Sequence, residues 1–455
     1  MAGEKQKNGA GERRKGVGEM RKGCGRNSEN GGEMQKGAWK EQKKGAGKAQ
    51  KRRGEKQQGK AEKSNDNSIH TRTKGFVDTY HALATERHGK WMASRTRLRR
   101  EITFEKGAAA LFVSMNATYN AIVKDRTGVE LREAYLSYAK GGLDLRVGRQ
   151  IVVWGVADAL RITDCVSPCD YTEFLAQDYD DIRMPVNGLR AKYTYRNVTF
   201  EAVCNPVADF FILPIDESNP WAVSLTAATL PCTIDLESGK PAKKLRNLEW
   251  GGRISANLSG IDFSVSALRT WNKMPAMELA LSTDGKTLLA TGRYPRMTML
   301  GADCSLPVGQ FVVRGETACY LGEAQTTASG REVVRRNTFN ALLGADWYPG
   351  SDWNISLQYC HRRISGDKTT ISAYRNTGLA TARISKELLR NLLKLSTFAY
   401  IDVSTGGIFN RFSTSYALTD QIELAGGYDY FHADRGRFAI YHKNSEVWLK
   451  LKYSF

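Results

Sequence analysis

The end of the chain, from Ser445 to Phe455, alternates between apolar and polar side chains and stops on an aromatic residue. A period of two puts one face of a strand against an apolar medium and the other against water. A strand that alternates in this way and carries a terminal aromatic is typical of the closing strand of an outer-membrane barrel. We therefore expect Tyr453 and Phe455 to form a C-terminal assembly signal, with Lys450 and Lys452 facing inward.

The same alternation recurs through most of the chain after Gly75. It is clear over residues 94–104, and in two pairs of segments, 189–204 and 250–267, that each turn back at a short polar sequence. Segments of about ten residues are the length that a tilted β-strand needs to cross a bilayer. The sequence also has no run of 18 or more apolar residues, so no transmembrane helix is expected.

Short turns alternate with longer polar loops, as in barrels that have tight hairpins in the periplasm and long loops outside. If Gly75–Glu86 is the first strand, the pattern predicts a single closed antiparallel all-β barrel of about 18 strands, or about 16, with both ends periplasmic. A barrel of this size encloses an aqueous channel. We expect turns near residues 105–108, 139–142, 196–197, 259–260, 307–309, 349–351, 385–388 and 419–420. We expect loops at 123–128, 150–185, 207–246, 273–293, 322–335, 364–373 and 433–444.

The placement of the aromatic residues favours a membrane barrel over a soluble β-protein. Many of them fall toward predicted strand ends, where an interfacial girdle requires them. A propeller would show a blade repeat of about 40 to 50 residues, and no such repeat is present. The predicted girdle residues are Tyr193, Tyr195, Trp250, Trp353, Tyr359, Tyr428, Tyr430, Trp448, Tyr453 and Phe455.

Residues 1–74 have a different composition from the rest of the chain. They are rich in Gly, Lys, Glu and Gln, and Lys and Arg outnumber Asp and Glu by 21 to nine. So few apolar side chains cannot offset the entropy of ordering, so we expect a disordered basic leader. It is either an arm for an anionic surface or a non-native leader, and nothing in residues 75–455 suits nucleic acid. No apolar run of the kind found in a signal peptide follows Met1, Met20 or Met34.

Several motifs stand out in the middle of the chain: Arg149 and Gln150, then Trp154 and Gly155, followed by Ile162-Thr163-Asp164 and the acidic stretch 178–183. These motifs resemble a porin-like outer-membrane family of Bacteroides-type bacteria. The resemblance extends from about Gly75 to Phe455 and is most specific over residues 131–186. It implies an outer-membrane location and a barrel without a defined substrate. The leader has no counterpart in that family, and Cys165 and Cys169 stand where apolar residues are expected.

Charged residues on the predicted inward faces indicate where a site would lie. Arginines on a lipid face near the midplane would each cost about 2–4 kcal/mol, so those of the second strand must face the lumen. The long loop after residue 150 is acidic, and a loop of this kind beside an arginine wall would form a constriction that selects solutes by charge. The predicted basic residues are Arg95, Arg97, Arg99, Arg146, Arg190, Lys192 and Arg253. The predicted acidic residues are Asp164, Asp170, Glu173, Asp178, Asp180 and Asp181.

The eight cysteines and six histidines show no metal-binding pattern. Cys165 and Cys169 could form a disulfide at the cell surface or remain unpaired small apolar residues. No Gly-x-Ser-x-Gly motif is present, which argues against an enzyme. We therefore expect no cofactor.

The sequence thus predicts an outer-membrane channel for passive diffusion of small hydrophilic solutes. The alternative is a plugged structural or ligand-docking barrel without an open pore. The partners expected are outer-membrane lipid, the barrel-assembly machinery and the solutes themselves.

Overall fold

The computed structural model describes residues 68–87, 89–174, 178–179, 181–222 and 230–455. Ile69–Phe455 form one compact unit whose regular secondary structure is almost entirely β-strand. Among the residues described, no helix has the length and apolar character needed to cross a membrane. The helical elements of this part of the chain are single 3₁₀ turns at Lys124–Arg126, Leu245–Asn247, Lys368–Thr370 and Ala439–Tyr441.

Within the described residues, eighteen strands form one antiparallel barrel, as the sequence predicts. Each strand is hydrogen-bonded to the next barrel strand along the chain, and the first is bonded to the last. The barrel strands are β1 (His70–Ala84), β2 (Trp91–Lys106), β3 (Ala109–Asn120), β4 (Gly128–Lys140), β5 (Leu143–Gln150), β6 (Val186–Tyr195), β7 (Val198–Asn205), β9 (Glu249–Leu258), β10 (Ile261–Trp271), β13 (Arg296–Val308), β14 (Phe311–Thr326), β15 (Val333–Trp347), β16 (Trp353–Ile364), β17 (Asn376–Leu388), β18 (Leu393–Asp402), β19 (Ile408–Ala417), β20 (Ile422–His432) and β21 (Glu446–Ser454). Three further strands lie in loops: β8 (Cys232–Asp235), β11 (Ala276–Leu281) and β12 (Leu288–Arg293).

The barrel closes where β1 pairs with β21. The pairing runs from Phe76 opposite Ser454 to Ala84 opposite Glu446. Gly75 and Phe455 extend it by one more pair, each donating its N–H to the carbonyl of the other at 2.9 Å. A side chain at position 75 would lie 2.5 Å from the carbonyl oxygen of Arg99 and 2.9 Å from the Phe455 ring, so the close approach requires glycine.

The outer surface of the barrel is an apolar belt. On β21, Val447, Leu449, Leu451 and Tyr453 are 43–54% exposed and point outward, while the residues between them face the lumen. The alternation predicted for this strand is therefore confirmed. Trp448 was assigned to the outer girdle, and that assignment is wrong: its ring is buried inside the barrel, where Nε1 donates to Asp429 Oδ1 at 3.1 Å.

The two ends of the barrel differ in the length of their connections. At the turn end, neighbouring strands are joined by two to five residues, and at the long-loop end by five to 43. The turn predicted at 385–388 is in fact part of β17, and the chain turns at 389–392 instead, where Leu389, Arg390 and Asn391 have positive φ. Two short connections at the long-loop end, 85–90 and 403–407, were not among the predicted loops, although 85–90 is polar throughout.

A small sheet lies among the long loops. β12 pairs with β11 in an antiparallel hairpin and with β8 in parallel. This sheet gives the loops 206–248 and 272–295 a common support at the long-loop end.

The first strand begins at His70, so residues 70–74, which the composition groups with the leader, belong to the barrel wall. Residues 1–67 lie outside the described part of the chain. The basic leader accordingly stays a prediction.

The apolar belt can be tested with an arginine at its middle. Leu343 on β15 is 66% exposed, and Leu343→Arg should destabilise the barrel in lipid by about 2–4 kcal/mol, because the charge enters hydrocarbon. Leu418→Arg, in the turn after β19, is the matched control, since this leucine is similarly exposed beyond the end of the strand. Urea unfolding in vesicles measures both, and equal losses would contradict a lipid-facing belt.

Candidate functional site

The connection from β5 to β6, residues 151–185, turns into the lumen and is called the inner loop below. Its backbone is held by Glu316 on β14, far around the wall from β5 and β6. The Glu316 carboxylate accepts hydrogen bonds from the N–H groups of Val156, Ala157 and Thr163 at 2.7–2.8 Å, and from the Thr163 hydroxyl. A buried carboxylate with four donors is well satisfied, so this contact anchors the loop firmly.

Gly155 makes this anchor possible. Its φ is +87°, a conformation that glycine adopts readily. A Cβ atom at this position would lie 2.4 Å from Glu316 Oε1. The close approach of the loop backbone to the carboxylate therefore depends on the absence of a side chain here.

The opposite side of the inner loop lies on the arginines of β2. Glu173 is 2.5 Å from Arg95, and Asp181 bridges Arg97 and Arg99 at 3.0 Å each. These groups are buried or nearly so. The acidic loop and the basic wall that the sequence singled out are thus in direct contact.

Residues of the barrel wall also contact Arg97 and Arg99. Arg97 also pairs with Asp78 on β1 at 2.7 Å, and Arg99 Nε donates to Asn116 on β3 at 2.8 Å. Burial alone would raise the pKa of Asp181, but the charges of Arg97 and Arg99 outweigh burial and hold that pKa below its ordinary value. Asp181 is therefore ionised near neutral pH, and it forms ion pairs with both arginines in that state.

Three more acidic residues of the inner loop have separate partners. Asp178 is 2.9 Å from Lys450 on β21, and Asp170 is 3.0 Å from Arg126 in the loop after β3. Asp164 pairs within the inner loop, with Arg183 at 3.1 Å. Asp180 lies outside the described residues.

The other predicted basic residues face inward but pair with carboxylates of the wall. Arg146 on β5 is 3.4 Å from Asp144, and Arg253 on β9 is 3.0 Å from Asp303 on β13. Arg190 and Lys192, both on β6, are 2.8 and 3.4 Å from Glu201 on β7. They line the lumen without contacting the inner loop through an ion pair in the described part of the chain.

The family-motif residues build the entrance to the inner loop. Gln150 is buried, and its amide donates to the carbonyl of Gly188 at 3.1 Å, while Arg149 Nε donates to the carbonyl of Leu131 at 2.9 Å. Trp154 is buried, and its Nε1 donates to Glu201 at 2.9 Å. These residues position the loop and do not line an open passage.

Cys165 and Cys169 are both free thiols. Burial raises the pKa of Cys165 to about 12, so its thiol is protonated and unreactive near neutral pH. The disulfide between Cys165 and Cys169 stays a prediction. The described residues contain no cluster of His, Cys, Asp or Glu suited to a metal ion.

Apolar side chains pack against both sides of the inner loop. Val152, Trp154 and Ile162 join a buried cluster with residues of β7, β10, β13, β14 and β15. On the other side, Phe174 stacks on Tyr441 with ring centroids 4.0 Å apart and packs against a cluster from β1, β2 and β18–β21. The loop thus crosses the lumen and is packed at both ends of the crossing.

Two cavities remain beside the inner loop. One, of about 710 Å³, lies toward the long-loop end and has mainly apolar walls. The other, of about 290 Å³, lies toward the turn end. Its lining includes Arg95, Arg411, Lys450 and Lys452, the carboxylates of Asp178 and Glu423, and several serines.

The loop anchors on β14, β16 and β18 were not foreseen from the sequence. Besides Glu316, Gln358 on β16 exchanges two hydrogen bonds with the backbone of Asp158, at 2.9 and 3.0 Å. The Tyr400 hydroxyl on β18 donates to the carbonyl of Ala159. The sequence did offer one signal for these anchors, since each is a polar side chain at an inward position within a strand. Such a side chain must find a hydrogen-bond partner when it is buried.

These features define the class of the molecule: a closed antiparallel barrel whose lumen is crossed by an anchored loop. The chain belongs to the family described as "Protein of unknown function (DUF1302)", which matches residues 63–455. No curated protein matches the sequence.

Solved structures of barrels are similar to this fold. OccK8 (OprE) of Pseudomonas aeruginosa aligns with a TM-score of 0.51 and 8% identity, covering 85% of this chain and 98% of its own. OccK11 (OpdR) of the same species has a TM-score of 0.50 and 10% identity, with coverages of 85% and 96%. An anion-selective porin from Comamonas acidovorans has a TM-score of 0.42 and 11% identity, with coverages of 85% and 100%. The first two likenesses show a porin-type barrel fold and no more.

The anchor on β14 can be tested with Glu316→Gln. The amide turns an NH₂ group toward backbone donors, and each N–H left unsatisfied costs about 1–3 kcal/mol. We expect hydrogen exchange at Val156, Ala157 and Thr163 to be at least roughly tenfold faster, since local opening becomes easier. Glu323→Gln is the matched control on the same strand, because Glu323 pairs with the Arg362 side chain. Unchanged exchange in Glu316→Gln would contradict the anchor.

Proposed function

We propose that the protein is an outer-membrane channel for passive diffusion of small hydrophilic solutes, narrowed by the inner loop. The observation that carries this proposal is the contrast between the two faces of the wall. The outward positions are apolar, whereas the inward positions carry ion pairs such as Arg190–Glu201 and Arg253–Asp303. A wall of this kind suits lipid outside and water or polar solute inside.

The location follows from the same contrast and from the ends of the barrel. Both described chain ends, at His70 and Phe455, lie at the turn end. In outer-membrane barrels the short turns face the periplasm and the long loops face outward. We therefore assign the turn end to the periplasm, with the 710 Å³ cavity on the outer side of the inner loop.

The inner loop is the element that would control passage. Its acids neutralise the arginines of β2 at the level of the loop, so the charge selection predicted for the constriction is reduced there. Toward the turn end, Lys452 lies over the Phe76 ring at 4.8 Å, and Lys450 is paired with Asp178 at 2.9 Å. Glu423 also lines the cavity on this side, so a solute would meet charges of both signs there.

A second candidate function is a plugged structural or ligand-docking barrel. The apolar clusters on both sides of the inner loop favour it, because they leave the loop little freedom to move. The two candidates differ in one measurable property, the conductance of the native protein.

Planar-bilayer recording tests the channel directly. The native protein should conduct in small steps, and Asp181→Asn should raise the conductance and the preference for anions. Removing one partner of a buried ion pair weakens the anchoring by about 3–5 kcal/mol, and here it also leaves Arg99 without its carboxylate partner.

Asp144→Asn is the matched control for this experiment, since Asp144 pairs with Arg146 on the same strand and not with the inner loop. A silent native protein that conducts only as Asp181→Asn would support the plugged barrel. Unchanged conductance and selectivity in Asp181→Asn would refute a gating role for the loop.

We also propose that the C-terminal aromatics are recognised by the barrel-assembly machinery. Tyr453 and Phe455 are 43% and 41% exposed at the closing seam. Phe455→Ser should lower the amount of folded barrel in the outer-membrane fraction several-fold, as measured by gel mobility before and after heating. Phe412→Ser is the control, because Phe412 is similarly exposed on β19, away from the seam. Equal folded amounts of the native protein and Phe455→Ser would reject this proposal.

The Bacteroides-type origin that the motifs imply remains a prediction, which the genome sequence of the source organism would test.

A further inference from the structure

The cavity on the outer side of the inner loop is lined mainly by apolar side chains, which a hydrophilic solute would not require. Its volume is about 710 Å³, within the usual range of small-molecule sites. The inner loop contributes Leu160, the loop after β7 contributes Leu213, β8 contributes Ile234, and β11 contributes Met277. Since these residues come from four separate segments, the apolar lining is a property of the folded assembly and not of one strand face.

Four cations and the carboxylates of Asp164 and Glu323 also line the cavity, and three of the cations are already neutralised. Lys273 is 2.7 Å from Glu249, Arg362 is 2.8 Å from Glu323, and Arg437 is 3.0 Å from Asp402. These pairs leave no net charge for a ligand to meet at those positions.

The fourth cation, Arg161, has a different set of partners. Its guanidinium donates to the backbone carbonyls of Asp164 and Ser167 and to the Cys169 thiol, and it lies over the Phe211 ring at 5.3 Å. The Asp164 carboxylate is bonded to Arg183 instead. Within the described part of the chain, no carboxylate forms an ion pair with Arg161.

A guanidinium held in this way is fixed in direction, and it meets the Asp164 carboxylate through space but not in an ion pair. Removing a charge from water is unfavourable unless an opposite charge accompanies it. An anionic group at the cavity wall would supply that charge, and the planar guanidinium suits carboxylate or phosphate oxygens. The apolar lining would meanwhile cover a hydrocarbon body and remove it from water, which is favourable.

We propose that this cavity binds a small anionic amphiphile, with its apolar body among Leu213, Ile234 and Met277 and its anionic group paired with Arg161. The site lies on the outer side of the inner loop and does not depend on whether solutes cross the barrel. In the proposed channel, this cavity would be the first site that binds an amphiphile arriving from outside.

The binding test uses the full chain in amphipol and three probes. Dodecanoate carries both features, dodecanol has the same body without the charge, and gluconate has the charge without the body. Titration calorimetry should give tightest binding for dodecanoate, binding at least roughly tenfold weaker for dodecanol because the charge-assisted pair is lost, and none for gluconate. Dodecanol binding equal to that of dodecanoate, or gluconate binding, would overturn the proposal.

Substitutions of Arg161 separate the effect of its charge from its hydrogen bonds within the inner loop. Arg161→Gln should reduce dodecanoate binding to the dodecanol level, and Arg161→Lys should restore part of it, since the charge returns. Arg293→Gln, in the outer hairpin where Arg293 pairs with Glu278, is the matched control and should bind normally. If Arg161→Gln binds dodecanoate as the native protein does, the anionic part of the proposal fails.

Variants of β8 test the apolar part without touching the barrel wall. Ile234→Trp fills the cavity and should abolish dodecanoate binding, whereas Thr233→Trp, on the exposed face of the same strand, should not. Any dodecanoate signal that remains with Ile234→Trp measures the partition of the probe into amphipol. Equal binding by the two tryptophan variants would place the probe elsewhere and overturn the site. Because these variants leave the inner loop unchanged, a negative result here is distinguishable from failure of the proposed channel.

Discussion

The structure depends on the need to pair every backbone hydrogen-bonding group of the wall. In hydrocarbon no water replaces a missing partner, so a sheet that crosses a membrane cannot keep a free edge. The ladder from Phe76–Ser454 to Ala84–Glu446, extended by Gly75 and Phe455, removes the last edge. Closure at eighteen strands in turn creates a lumen too wide for wall side chains to fill. The inner loop occupies part of that space.

Charge balance determines where the inner loop lies. Each arginine of β2 would be costly to bury alone, and the carboxylates of the loop would be equally costly. Placing Asp181 between Arg97 and Arg99 satisfies both, and Glu173 does the same for Arg95. On the far wall, the Glu316 carboxylate is satisfied without any cation, by backbone N–H donors held in place by Gly155. The loop is thus held by ion pairs on one side and by neutral donors on the other.

The sequence predicted the wall better than the contents of the lumen. Period-two alternation is a local property, and it is enough to identify β21 and to place Arg95, Arg97 and Arg99 inside. Strand ends were less certain, as the shift of the 385–388 turn to 389–392 illustrates, because a turn of positive-φ residues can contain leucine and arginine as well as glycine. The contact of Glu316 with Thr163 joins positions 153 residues apart. Alternation shows that Glu316 points inward but carries no information about what it meets there.

The seam between β1 and β21 is also coupled to the inner loop. Its two strands are separated by more of the chain than any other pair in the wall, so its closure carries the largest loop entropy cost. The inner loop contacts the closing strand through Asp178 and Lys450, and it contacts the far wall through Glu316 and Gln358. The loop therefore acts as an internal cross-link between the last strand and the middle of the wall. Shortening the loop would weaken the seam although no residue of the seam had been changed.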